Sequence, residues 1–388
     1  MVFIIFLSMS VHACYIGSKV VVSLFALQLG ASQGLVGVIA SFYAAVPLLL
    51  GVYSGRLADT HGMRLPLLVG ALTTSSAMLT GFVWRQLPGL FAVALLMGAA
   101  FVFFNVAIQT LAGSVGTPEQ RPRNFAWLSI GYSMSSLIGP VFAGFSIDHA
   151  GHALTFLFFS FVPVVPIVLL IAKPHLTRPQ VAKTAAHKGS ALDLLQDAPL
   201  RRLIIISGLS VASSELFAFY VPVFTHQIGL SASTTGIILG AYAVAILVTR
   251  FFLGAISRRL RPDQIMFAFL LIAACAFAVF PLLRSVYGLM AAAFVIGFGV
   301  GCTQPLLMST SYEKSPPGRA GEVTGMRLTA NNLARVVMPL LSGAIGTAFG
   351  AAPVFWMNAL NLASIKSPRP TLKPWHAALV RRSMIIVR

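Results

Sequence analysis

A helix that crosses a bilayer needs about 20 consecutive, mainly apolar residues. Runs of that kind recur along this 388-residue chain at 2–28, 33–54, 65–84, 89–112, 124–147 and 153–172. A polar stretch follows, and then come runs at 202–226, 233–256, 264–283, 288–311 and 324–347, with a last one starting at Pro353. Eleven runs are long enough to span. With 57% of residues apolar and 9% charged, no soluble core encloses so much apolar surface. The reading is an all-α membrane protein. The net charge of +18 sits in short clusters between the runs instead of on one basic face, which argues against a nucleic-acid partner. Cys14, Cys275 and Cys302 fall inside apolar runs without paired or metal-ligand spacing, so packing is their expected role. Met1 to Leu7 opens directly on an apolar run with no basic region before it, and reads as a retained first helix.

The chain also repeats itself. At a constant offset of about 199 positions Phe25, Gln28, Gly30, Ser32, Gly37 and Tyr43 recur as Phe224, Gln227, Gly229, Ser231, Gly236 and Tyr242. Further on, Gly98, Pro140, Gly144 and Phe156 recur as Gly297, Pro339, Gly343 and Phe355. A register that holds without a gap points to two pseudo-symmetric six-helix bundles related by a parallel duplication. The expected division is 1–172 for the first bundle, 173–200 for a linker, 201–363 for the second bundle and 364–388 for a basic tail. Alternate loops separate by charge: fifteen Lys and Arg lie at one end of the helices, against Arg85 and Arg284 at the other. Cytoplasmic loops are enriched in these residues, so the N-terminus and the linker are expected on the cytoplasmic side.

Between the second and third runs the chain reads Gly55-Arg56-Leu57-Ala58-Asp59-Thr60-His61-Gly62-Met63-Arg64. This resembles the G-x-L-A-D-x-x-G-R-R loop of the major facilitator superfamily, at the place where that family carries it. The resemblance implies a cytoplasmic gate in which Asp59 faces the region of Gly321 to Thr324 and Arg64 is the closing base. Thr60 and Met63 depart from the pattern, and the second-half copy has Arg258 in place of the acid. The fifth run contains Gly131, Gly139, Pro140 and Gly144 and resembles the Gly-Pro motif of the family's proton-coupled exporters. Small residues four apart also make a stripe for close helix packing, so both export and packing remain open here.

Three charges lie within spanning runs away from the basic helix ends: Lys19 in the first, Glu215 in the seventh and Arg335 in the eleventh. Charges at membrane depth cost at least about 2.5 kcal/mol and are functional candidates by default. Through the repeat, Glu215 falls three residues from Lys19, so the two should lie within about 5 Å of equal depth. Glu215 is expected either to bind a coupling proton under the influence of Lys19 or to form a static ion pair. Asn105 and Gln304 are repeat equivalents, and with Gln109, Asn331 and Asn332 they are the polar groups expected along a cavity. His12 reads as a packing histidine, while Arg250 and Arg327, near the basic helix ends, are expected to snorkel.

The resemblance implies a secondary transporter of a small molecule, coupled to protons and moving it outward. It would be a monomer, multi-pass in a bacterial cytoplasmic (inner) membrane. No phosphate-binding G-x-x-x-x-G-K-[ST] loop occurs, and no cofactor or metal is called for. Three other readings stay open on the residues. Lys19 and Arg335 favour an importer of small organic anions. The final run stops after Leu362, about ten apolar residues from Pro353, too short to cross about 30 Å of hydrocarbon. That suggests a frameshift or truncation near Asn361, a tail foreign to a transporter, and an inactive remnant. An embedded enzyme would need a catalytic cluster, for which Asp148, His149 and His152 are the one candidate, expected instead to be a solvated turn.

Overall fold

The computed structural model describes residues 1–117, 120–172, 193, 195–256, 261–315 and 320–365. Thirteen α-helices carry the described fold: α1 (Val2–Gln28), α2 (Gln33–His61), α3 (Arg64–Val83), α4 (Leu87–Ser114), α5 (Arg121–Phe161), α6 (Val164–Ala172), α7 (Ala198–Gln227), α8 (Ala232–Ile256), α9 (Pro262–Val279), α10 (Val286–Gly301), α11 (Thr303–Lys314), α12 (Ala320–Phe349) and α13 (Ala351–Ala363). No strand occurs among the described residues.

Where helices and apolar runs differ, glycine and proline are the reason. The fifth and sixth runs form an apolar stretch of 50 residues from Arg123 to Ala172. Straight, it would be about 75 Å long, far more than one crossing requires. It folds back at Gly151, whose φ of 80° is open to glycine and costly for other residues. The repeat equivalent Gly350, with φ 84°, separates α12 from α13 in the same way. The tenth run, expected as one helix, breaks at Cys302. Pro305, just beyond, has no backbone N–H to donate to Gly301 and its ring crowds that carbonyl. α13 has 13 residues, about 20 Å of helix, so the last run is short as expected. The tail from 366 and most of the linker lie outside the described residues.

The repeat reappears as paired close approaches between N-terminal and C-terminal helices. A Cβ added to Gly37 on α2 would strike the Pro339 carbonyl of α12 and stand 3.1 Å from the Gly343 Cα. One added to Gly236 on α8 would lie 2.5 Å from the Pro140 carbonyl of α5. Without side chains at these points α2 lies against α12 and α5 against α8, backbone to backbone. Ser32 and Ser231 cap α2 and α8 alike, accepting from Leu35 N and Thr234 N at 3.3 and 3.2 Å.

The glycine motif of the fifth run is used for packing on two faces. Toward α1, the Gly131 position faces Ile5, Ser135 Oγ donates to the Met9 carbonyl at 3.2 Å, and a Cβ at Gly139 would come within 2.5 Å of the Ala13 carbonyl. Toward α8, the Pro140 carbonyl meets Gly236 and Gly144 meets the Ala232 carbonyl.

Candidate functional site

Three helices converge on one carboxylate. Lys19 of α1 donates from Nζ to Glu215 Oε2 at 2.7 Å, and Arg335 of α12 donates from Nε to Glu215 Oε1 at 3.1 Å. Among the described residues these are the only ion pairs. The side chains are 11%, 19% and 30% exposed for Lys19, Glu215 and Arg335, so water screens the group only in part. Arg335 Nη1 also reaches Asn332 Oδ1 at 3.4 Å. Two cations against one carboxylate leave a net charge of about +1 at a depth where charge is expensive.

Aromatic rings shape the Lys19 side of the site. The ammonium sits 4.8 Å from the Tyr15 ring centroid and 6.0 Å from that of Tyr43, within the reach of cation–π attraction. Tyr15 stacks on Phe101 at 4.2 Å, and the Tyr43 hydroxyl donates to Ser18 Oγ at 3.1 Å. Neither tyrosine was expected in the site, although Tyr15, four residues before Lys19, shares its helix face. His12 packs against the rings of Tyr132, Tyr15 and Phe101. Beside the triad lies a cavity of about 20 Å³, lined in part by Lys19, Tyr43, Glu215, Phe219 and Pro339. That is room for about one water molecule, so a substrate must open the site to enter it.

The other expected polar residues form separate groups. Asn105 Oδ1 accepts from Tyr132 at 2.7 Å and from Gln109 Nε2 at 3.0 Å, well apart from the charged triad in the hydrogen-bond network. The Asn331 amide pairs with the Ser207 hydroxyl at 2.8 Å. Gln304 Oε1 accepts from Arg327 Nη1 at 3.1 Å.

Arg250 and Arg327 do not snorkel. Arg250 turns inward from α8 to the Ser129 carbonyl and hydroxyl and to Ser133, all on α5. Arg327 is only 4% exposed. In both cases a polar partner on a neighbouring helix holds the guanidinium inside. In the loop after α2, Gly62 adopts φ 76° and closes the helix, as the motif requires. Arg64 caps α6, donating to the Leu170 and Ile171 carbonyls at 3.0 and 3.3 Å. The side chains at 55 and 59, and those at 321, 322 and 324 that Asp59 was expected to face, lie outside the described residues.

At the Arg-poor end the N-terminal and C-terminal helices are latched. Asp148 of α5 is exposed, as a solvated turn would be, and caps α8, accepting from Ala232 N at 3.1 Å and Ser233 N at 2.7 Å. Its repeat equivalent Thr347 of α12 accepts from Gly34 N of α2 at 2.8 Å. Tyr220 of α7 donates to Gln33 of α2. No metal-binding group of acids, histidines and cysteines occurs among the described residues. Losing a cap costs about 1 kcal/mol, so Asp148→Ala should open this end about fivefold more often. Distances between spin labels at the Arg-poor ends of α5 and α8 would read the change; an unaltered distribution would remove Asp148 from the latch.

A helical bundle that buries charges inside helices long and apolar enough to span a bilayer, where two sets of helices meet, has the build of a membrane transporter. The sequence matches the Major Facilitator Superfamily over residues 1–339, and the chain belongs to that superfamily. It is 24% identical over 321 residues to an uncharacterized MFS-type transporter, YuxJ, of Bacillus subtilis, covering 80% of this chain and 81% of that one. It is also 24% identical to the multidrug resistance protein MdtG of Escherichia fergusonii, with 83% and 80% covered. Among solved structures, a peptide transporter POT superposes with a TM-score of 0.78 at 15% identity over 94% of this chain and 92% of that one. The nucleoside transporter NupG gives 0.76 at 14%, with 94% and 97% covered. At such identities the likeness to the solved structures concerns the fold.

Proposed function

We propose that the chain is a proton-coupled transporter of a small organic molecule in a bacterial cytoplasmic membrane, with Glu215 as the group that takes and releases the proton. The observation that carries this reading is that one carboxylate ties α1 to α7 and α12 through Lys19 and Arg335. Protonation removes its charge, loosens both pairs at once and so biases how the two sets of helices meet. Outward movement is supported by the relatives named as multidrug resistance proteins. The test is Glu215→Gln in proteoliposomes, scanned with organic anions, sugars and lipophilic cations. A pH gradient should no longer drive accumulation while exchange of labelled for unlabelled substrate continues. Full gradient-driven accumulation by the variant would falsify the assignment.

The excess of cations favours a second reading, uptake of a small organic anion. Glu215 and a substrate carboxylate compete for Lys19 and Arg335, so the carboxylate binds best when Glu215 is neutral. Proton and anion then bind with positive linkage and travel in the same direction.

A further inference from the structure

Arg327 and Gln304 have a charge and two donors that the triad does not use. Arg327 is 4% exposed, and no carboxylate among the described residues pairs with it. Its Nη1 is satisfied by Gln304 Oε1 at 3.1 Å, but Arg327 Nε and Gln304 Nε2 are both buried with no hydrogen-bond partner. An unmade hydrogen bond from a buried charged group costs more than the roughly 1–3 kcal/mol of a neutral one. Two such donors, held together by the bond between their side chains, present positive charge and N–H groups to an acceptor from outside.

Their place in the fold says which acceptor. Arg327, Asn331 and Arg335 follow one another at four-residue spacing on α12 and so lie along one helix face. Arg335 holds Glu215 of α7 and Asn331 pairs with Ser207 of α7, so this face looks onto the helix that carries the carboxylate. Arg327 is about 12 Å, or two turns, nearer the basic end than Arg335. The side chain that would occupy the matching place in the repeat is Leu128, so the cation belongs to one half alone.

We propose that Arg327 and Gln304 form an anion-binding station between the basic end of the helices and the triad, at which a substrate carboxylate rests before it passes to Arg335 and Lys19. This rests on the reading of the substrate as an organic anion. A bidentate guanidinium suits a carboxylate, and Gln304 Nε2 adds a third donor. A cationic substrate is repelled at this step, so the station also selects by charge.

The test uses the purified full-length protein in detergent, with benzoate and succinate as probes and the melting temperature as readout, since ligands that bind the folded state raise it. Arg327→Gln should raise the carboxylate concentration for half-maximal stabilisation about tenfold, the loss of one charge-assisted contact. Arg327→Lys, which keeps the charge but loses the bidentate fork and guards against a variant that merely folds poorly, should give a shift between those of the native protein and Arg327→Gln. Gln304→Leu should weaken carboxylates without changing the response to a neutral sugar. An unchanged carboxylate response in Arg327→Gln overturns the station. If Arg335→Gln still abolishes that response, the anion reading survives and only the station is lost. If carboxylates stabilise neither the native protein nor any variant, both are lost.

Discussion

Glu215→Leu lowers the melting temperature of the purified protein more than any other single change at the triad. Removing one partner of a buried ion pair leaves an uncompensated charge and costs about 3–5 kcal/mol. Here one substitution strands two cations, Lys19 at 2.7 Å and Arg335 at 3.1 Å, although Arg335 is 30% exposed and recovers part of its hydration. The expected cost is therefore about 3 kcal/mol, at the lower end of that range. Lys19→Met costs less, because Glu215 keeps Arg335. The combination of Glu215→Leu, Lys19→Met and Arg335→Met should regain most of the loss, since no charge is left unpaired and apolar side chains can fill the site. Thermal unfolding in one detergent ranks the three proteins. A triple variant less stable than Glu215→Leu alone would show that the triad stabilises the fold by more than mutual neutralisation, and would make the static ion pair the better account.

The two charges that make this prediction possible were legible in the sequence. The repeat offset puts Glu215 three residues from Lys19 in depth, and the structure joins them through one hydrogen bond. Arg335 was visible as a charge in an apolar run, but its choice between substrate and carboxylate depends on how α12 is rotated against α7, which a helical period does not give. Tyr15 and Tyr43 were missed because aromatic residues in apolar runs are ordinary; Lys19, four residues on, was the one available signal for Tyr15. The burial of Arg327 was hidden for a different reason. Closeness to a helix end favours snorkelling, and only the position of Gln304 on α11 supplies the partner that turns the side chain inward. Spanning segments were legible to within a few residues, and so was the turn at Gly151, which falls in the polar Asp148 to His152 stretch between the fifth and sixth runs; the break at Cys302, by contrast, interrupts a run whose composition does not change. At Cys302 the following Pro305 acts on backbone geometry, to which hydropathy is blind.

The second large effect lies where the repeat brings backbones together. Gly37→Leu on α2 places a side chain where the Pro339 carbonyl and the Gly343 Cα of α12 already stand, the latter 3.1 Å from the first added atom. A helix backbone cannot move one carbonyl aside without breaking its own hydrogen bonds, so the strain is relieved by moving α2 bodily away from α12. Overpacking of this kind costs about 1–3 kcal/mol. The contact exists only while the Arg-poor end is shut, so the cost falls on that state and not on one in which α2 and α12 have parted. At about 2 kcal/mol the balance shifts about thirtyfold toward opening at this end. Gly236→Leu should do the same through Pro140, whose carbonyl would lie 2.5 Å from the added Cβ. Because α5–α8 and α2–α12 are separate contacts, the two effects should approach additivity in the double variant, up to the point where opening is complete. Spin-label distances across the Arg-poor end report the shift, and Ala at either position gives an intermediate value. A loss of melting temperature with unchanged distances would place the strain in both states alike and show that these glycines serve packing without marking the moving boundary.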